Sequence, residues 1–319
     1  MTTTRPTQTW TLPATAHDPA LHLRCQPAPH SARGAALYVH GATFPSALAV
    51  FFRFDGRSWA DALNDAGFDA WGFDFAGYGE SQRYPAMAQD AQAAPPLGRA
   101  DAAQRQLASV VDAVRKLTAP TLPLHLIAHS WGSIAAMRCA AEDRGDRLAS
   151  LTLFGPVVRR DDGAQTAANS GPWPAWRTLN VWEQYRRFIA DVPRAEPPVL
   201  LDRHIEAWSR AYLATDPSAA ERDPPAVRVP AGPMADIAQL WSGHALYDAS
   251  RIRVPTLLVR GAWDSVCDDR DAARLLHDFG DAATARDCVL AKGTHLMHLE
   301  TGRIPLQRAV NEFLLARGA

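Results

Sequence analysis

Short apolar runs recur along the chain, each bounded by glycine or proline and separated from the next by a segment of helical period. That is the pattern of parallel strands joined by crossover helices. The runs at residues 36–40, 70–75, 124–128, 151–154, 256–260 and 287–290 are predicted strands. Between Trp10 and Gln26, Leu21, Leu23 and Cys25 alternate with polar neighbours and predict an earlier pair of strands forming an antiparallel edge. Helices are predicted over 58–66, 100–117 and 133–143, each stopping near a breaker: Gly67, Pro120 and Gly145. The strands are expected to lie in the sheet in chain order.

The alternation stops after Phe154. Eleven of the 24 prolines fall between Pro156 and Pro233, so this stretch is not another strand-helix repeat, and it reads as an inserted helical lid. The expected division is a core of residues 1–155 and 251–319 and an inserted cap of residues 156–250. Trp173, Trp176, Trp182, Trp208 and Trp241, half of the ten tryptophans, lie in or beside the insertion. Surfaces that large must pack on something, either the lid's own core or a ligand pocket beneath it. A second non-repeating loop, residues 82–98, is expected to border the same pocket.

Composition narrows the class without naming a function. With 47% hydrophobic and 21% charged residues the chain has the balance of a globular protein. A formal net charge of -1 argues against a nucleic-acid or anionic-membrane partner, which would need a basic face. Cys25, Cys139, Cys267 and Cys288 are scattered, with neither a disulfide framework nor metal-ligand spacing. The polar, threonine-rich N-terminus lacks the apolar run of a secretory signal, and no stretch approaches a bilayer span, which points to a cytoplasmic protein.

The candidate chemistry sits where a predicted strand meets a predicted helix. Ala128-His129-Ser130-Trp131-Gly132 follows the apolar Leu124-His125-Leu126-Ile127 and precedes Ser133-Ile134-Ala135-Ala136. A strand turning at once into a helix strains the turn residue and needs small side chains around it, which Ala128, Gly132, Ala135 and Ala136 supply. Such a turn presents Ser130 at the carboxyl end of the sheet, at the positive end of a helix dipole. A serine needs a base. Among 11 histidines, His295 follows the last predicted strand in a loop free to reach over the sheet edge, whereas His298 falls where the next helix begins and suits packing or capping. The orienting acid is expected after the preceding strand, and Asp264 follows Val259-Arg260-Gly261 there; Asp268, Asp269 and Asp271 come later and suit the first turn of a helix. Two main-chain amides should face a developing oxyanion: that of Trp131, after the nucleophile, and that of Ala42, with Thr43 in reserve, in the turn His40-Gly41-Ala42-Thr43.

These residues resemble the α/β-hydrolase fold family. The likeness runs over Val39-His40-Gly41, the Asp74-Phe75-Ala76-Gly77-Tyr78-Gly79-Glu80-Ser81 turn, the serine turn, the acid turn and the His295 loop with Glu300 after it. It implies an α/β fold with an eight-stranded, mostly parallel sheet and a helical cap inserted after the sixth strand, with no metal or organic cofactor. Ala128 stands where the family usually has glycine, and His-Gly-Ala-Thr-Phe-Pro replaces the His-Gly-Gly-Pro of proline iminopeptidases, which disfavours aminopeptidase activity. A serine in place of an aspartate argues against haloalkane dehalogenase and most epoxide hydrolase chemistry.

The expected activity is hydrolysis of a carboxylic ester of a small, largely apolar molecule, contacted by Thr43, Phe44, Trp131 and Trp182. Acyl transfer, cleavage of amides, lactones, thioesters or carbon–carbon bonds, and a ligand receptor on the same fold remain open alternatives. Arg159 and Arg160, just after the sixth predicted strand, are read as solvated cations at the cap hinge or as ligands for a substrate carboxylate.

Overall fold

The computed structural model describes residues 5–143, 147–160, 172–280 and 284–317. Gly145, the expected breaker of the third helix, and residues 161–171 of the expected insertion lie outside them. The chain opens with an antiparallel pair, β1 (Gln8–Leu12) and β2 (Leu21–Gln26), in the register Trp10 opposite Leu23. Then come β3 (Gly34–Val39), α1 (Trp59–Asp65), β4 (Phe68–Asp74), α2 (Ala100–Leu117), β5 (Leu124–His129), α3 (Gly132–Glu142) and β6 (Ser150–Phe154).

The next segment lies outside the main sheet: β7 (Trp176–Asn180), α4 (Val181–Ile189), α5 (Ile205–Ala214), β8 (Ala226–Pro230) and α6 (Gly232–Trp241). The chain then returns as β9 (Thr256–Gly261), α7 (Asp269–Asp278), β10 (Ala285–Leu290) and α8 (Arg303–Leu315). The insertion is not purely helical as expected, because β7 and β8 pair antiparallel, Arg177 opposite Val229.

The eight-stranded sheet runs β1-β2-β4-β3-β5-β6-β9-β10, parallel from β4 to β10. It corrects the expected chain order at one place, since β3 lies between β4 and β5. The crossover through α1 goes one way and that through α2 returns over β3, so the helices fall on opposite faces: α1 packs with α8, and α2 with α3. Such a reversal opens a crevice at the carboxyl ends of the strands. β3, β5, β6 and β9 are buried at every position, as expected of strands covered on both faces.

Local chemistry sets the helix starts. Ser58 with Asp61, Asn180 with Glu183 and Asp268 with Asp271 each form a reciprocal capping box, at α1, α4 and α7. Asp268, Asp269 and Asp271 therefore serve the beginning of α7. Gly67 ends the first unit with φ 91°, a conformation that a side chain disfavours.

The insertion is tied to the core along a seam. Leu200 bridges Glu300, and Thr301 N–H donates to Val199 O at 2.9 Å. Phe44 of the core meets Trp208 and Phe188 of the insertion edge to face, at centroid distances of 5.3 and 6.1 Å, and Trp208 Nε1 donates to Leu48 O at 3.1 Å. Trp208 is fully buried here, so one of the five tryptophans is seam packing.

Candidate active site

Ser130 has φ 55°, one of three non-glycine residues with positive φ among those described, so the strain expected of an abrupt strand-to-helix turn is present at the serine itself. Its amide donates to Phe154 O at 3.0 Å, and its carbonyl accepts from Ser133 N–H at 3.0 Å. The small neighbours are a steric requirement. A Cβ on Gly132 would lie 2.3 Å from His40 O, and one on Gly41 would lie 3.1 Å from Ser130 Cβ. The first turn of α3 is thus pressed against the end of β3.

Ser130 Oγ lies 2.8 Å from His295 Nε2, and His295 Nδ1 lies 3.0 and 3.2 Å from the two oxygens of Asp264. With Asp264 accepting at Nδ1, the neutral ring carries its proton there and leaves Nε2 to accept from the serine. Asp264 Oδ1 also accepts from Val266 N–H at 2.8 Å and Cys267 N–H at 3.2 Å, which fixes the carboxylate.

The acid and histidine loops are held together by main chain. Trp263 N–H donates to Gly293 O, Ala262 N–H to Leu290 O, both at 2.9 Å, and a Cβ on Gly261 would stand 2.0 Å from Gly293 O. Gly155, with φ 51°, leaves room for the pair; its Cβ would meet Asp264 Oδ2 at 2.7 Å. The insertion touches this assembly through Asp191, which accepts from the His295 amide at 3.4 Å and from Ser265 Oγ at 2.6 Å.

Two further histidines lie near His295, His129 tilted against its ring and His298 behind His129. His129 lies 5.0 Å from the His295 ring, and its Nε2 is 3.1 Å from His295 O. His298 packs on His129, Phe154 and Phe44, with neither ring nitrogen hydrogen bonded. Burial lowers both rings, His298 to about 3, helped by the neighbouring His295. They are neutral packing groups. Below them burial raises the Glu300 carboxyl to about 7, although it accepts from the Thr294 hydroxyl and amide.

The turn after β3 aims its amides by having its carbonyls tied back. Phe75 N–H donates to His40 Nε2 at 2.9 Å, so His40 Nδ1 carries the proton that Gly41 O accepts at 2.8 Å. Tyr78 OH donates to Ala42 O at 2.7 Å. In a trans peptide the C=O and the following N–H point oppositely, so pinning Gly41 O and Ala42 O turns the amides of Ala42 and Thr43 the other way. Among the described residues, the amides of Ala42, Thr43 and Trp131 donate to no protein acceptor.

A cavity of about 360 Å³ opens over Ser130 and His295. The core lines it with Gly41, Ala42, Thr43, Phe44 and Leu296, and α6 adds one apolar face, Met234, Ile237 and Trp241. From β7 and α4 come Arg177, Leu179, Glu183, Gln184, Arg186 and Arg187.

Several expected contacts lie elsewhere. Trp182 is 64% exposed, stacks on Tyr185 at 5.7 Å and is absent from the lining. The Trp131 indole turns toward α6, where Nε1 donates to Asp236 at 3.0 Å, and only its main chain stays beside Ser130. Arg160 pairs with Asp271 at 2.6 Å and covers Trp241 at 4.4 Å, and Arg159 borders a different cavity with Asp248 and Asp278. No residue of loop 82–98 reaches the lining; Leu97 instead receives Gly232 N–H at 2.8 Å. The arginines that do line the cavity escaped notice because they belong to no motif. The available signal was period two: in β7, Arg177 shares a face with the buried Leu179.

A family model described as serine aminopeptidase, S33, matches residues 53–302. The chain belongs to this family of α/β hydrolases. No curated protein matches the sequence. Among solved structures, this α/β hydrolase is similar to a highly thermostable carboxyl esterase from Bacillus coagulans in complex with glycerol, with TM-score 0.66 and 16% identity over 99% of this chain and 100% of that one. It is also similar to a thioesterase domain from the curacin biosynthetic pathway, TM-score 0.63 and 17% identity over 98% and 100% of the two chains. A thermophilic esterase from Thermogutta terrifontis gives TM-score 0.59 and 19% identity over 98% and 100%. At such identities the likeness is one of fold. Among the described residues no cluster of His, Cys, Asp and Glu is placed to hold a metal ion, and no helix is long and apolar enough to cross a membrane.

Proposed function

We propose that this α/β hydrolase cleaves a carboxylic ester through an acyl-enzyme on Ser130, with the insertion serving as a cap over the site. The observation that carries the reading is the unbroken chain from Ser130 Oγ through the His295 ring to Asp264, at 2.8 and 3.0 Å, at the floor of a cavity.

Ser130 Oγ attacks the ester carbonyl carbon while His295 Nε2 takes its proton, and the carbonyl electrons move onto oxygen. The amides of Trp131 and Ala42, with no protein acceptor among the described residues, are free to donate to that oxyanion. Asp264 stabilises the imidazolium. As the tetrahedral species collapses, His295 returns the proton to the departing alkoxide and leaves an acyl-Ser130. Water then repeats the sequence with His295 as base, and the carboxylic acid departs with Ser130 restored.

The cavity's charge bears on the choice among family chemistries. An aminopeptidase must hold a substrate ammonium, which calls for acids in the pocket. Among the described residues, three arginines and a single glutamate line this one, a poor receptor for a cation.

The test is turnover of a panel of p-nitrophenyl esters by the wild type and Ser130→Ala, each with and without a primary alcohol acceptor. Hydrolysis in the wild type and background rates in the variant are expected, with free acid the main product. Equal rates in the two proteins would remove the mechanism, and ester of the added alcohol as main product would make the protein an acyltransferase.

A further inference from the structure

Among the described residues the charges around the cavity do not balance, and one of them is left without an ion pair or hydrogen bond. Of the three lining arginines, Arg187 is held by Asp191 at 3.2 Å, and Arg186 is exposed on α4. The single lining acid among the described residues, Glu183, accepts the Asn180 amide at 2.8 Å as part of the capping box of α4. Arg177 differs. Its guanidinium makes no hydrogen bond or ion pair with any protein group among the described residues, and its Nε is buried with no acceptor.

Its position is nonetheless built. Arg177 sits inside β7, opposite Val229 of β8, and shares a face with Leu179, which also lines the cavity. The neighbouring Trp176 is covered by the Arg228 guanidinium at 4.0 Å, which fixes the strand from its other face. Glu183 is the one acid whose charge acts on Arg177, through space and without an ion pair, while its carboxylate is engaged with the Asn180 amide; the other groups around Arg177 do not offset its charge. The hydroxyls of Tyr78 and Tyr212 donate to Ala42 O and Leu179 O, and burial raises both phenols, so they stay neutral. The same desolvation lowers Arg177 from its ordinary value, yet a guanidinium does not give up its proton in a protein. A desolvated cation with no ion pair or hydrogen bond costs free energy, and an anion arriving from solvent recovers it. The planar fork of arginine matches the two oxygens of a carboxylate.

We infer that the ester this enzyme takes carries a carboxylate, bound by Arg177 on the wall of the cavity while Ser130 attacks the ester carbonyl. The inference rests on the ester-hydrolase reading and sharpens its substrate class from largely apolar to anionic, with α6 supplying the apolar wall along which the rest of the molecule lies.

The experiment compares matched pairs. In one, p-nitrophenyl hydrogen glutarate is set against p-nitrophenyl pentanoate, which puts the carboxylate on the acyl side. In the other, 4-acetoxybenzoate is set against 4-acetoxytoluene, which puts it on the alcohol side. All rates are taken above buffer and above Ser130→Ala. The anionic member of at least one pair should have the higher kcat/KM, on the order of tenfold or more, and which pair shows it tells which side of the ester carries the charge. In Arg177→Gln that ratio should fall to near one, mainly through KM, while Arg177→Lys keeps part of it; melting curves verify the fold of each variant. Equal rates within both pairs in the wild type, or an undiminished ratio in Arg177→Gln, would overturn the carboxylate assignment and leave the esterase intact. No Ser130-dependent turnover of any member would overturn the esterase reading, and the carboxylate with it.

Discussion

In the core, the groups that face the cavity are held by main chain packed closer than a methyl group allows: Gly132 against His40 O, Gly261 against Gly293 O, Gly155 against the Asp264 carboxylate. In the insertion the charged groups are long side chains on one short strand and one helix face, Arg177, Glu183, Arg186 and Arg187, of which Arg187 is tied to Asp191 and Glu183 to the Asn180 amide, while α6 adds an apolar face. The first construction tolerates no displacement and suits bond making, where a small misplacement is costly. The second sets charge and shape with little consequence for the backbone, and suits selection of a substrate. Chemistry and choice thus come from different parts of the chain and meet only at the cavity.

Substitutions in the two regions should therefore fail differently. His295→Ala should lower kcat by about 10⁴-fold or more with the fold retained, measured on whichever ester turns over best. His298→Ala, three residues on, should instead lower the melting temperature and leave kcat within about tenfold, because that ring only packs. The opposite ranking would move the base to His298. Asp264→Asn keeps the shape but offers His295 the wrong hydrogen-bonding group, and a kcat loss approaching the same 10⁴ is expected.

Gly261→Ala tests the close packing itself. Since its Cβ would stand 2.0 Å from Gly293 O, the acid and histidine loops must part. A loss of about 1–3 kcal/mol in denaturant unfolding should accompany a fall in kcat, and a variant with wild-type stability and activity would refute the rigid-core half of the comparison.

The seam between the regions carries a pH signature. Burial raises Glu300 to about 7 from its ordinary 4.5, so between those values the unfolded chain releases a proton that the folded one keeps. The stabilisation is full below pH 4.5 and is lost as pH rises through 7, by roughly 3 kcal/mol in all. Glu300→Gln cannot titrate, so the stability difference between wild type and variant should follow that slope. A flat difference would mean that the carboxyl ionises as it does in water. Smallest of all, Trp182→Ala should leave KM within twofold or so and stability within about 0.5 kcal/mol, since the indole is exposed and off the cavity.

The same contrast explains what could be read from the sequence. Ser130 and Asp264 follow strands buried at every position and His295 follows the more exposed edge strand β10, and the glycines that permit their turns lie within three residues of each, so a few residues of chain carry most of the signal. The placement of β3 between β4 and β5 escaped that reading, because hydrophobic period identifies a parallel strand but not its neighbours. In the insertion the prolines suggested helices alone. The pairing of Trp176–Asn180 with Ala226–Pro230 joins segments with two helices between them, which no local pattern reveals. Tryptophan size misled in the same way: Trp182 and the Trp131 indole were expected at the substrate, yet one faces solvent and the other is drawn to Asp236. Arg159 and Arg160 were weighed as carboxylate ligands for their place in the chain, while Arg177 holds that place in space.

The central claim is that Ser130 Oγ is activated by His295 and faces an open cavity. Peptide mapping by mass spectrometry after treatment with a small fluorophosphonate measures it directly. The account predicts one phosphonyl adduct, on the peptide bearing Ser130, formed quickly in the wild type and greatly slowed in His295→Ala. An adduct on another residue, or a Ser130 that reacts no faster in the wild type than in His295→Ala, would contradict it.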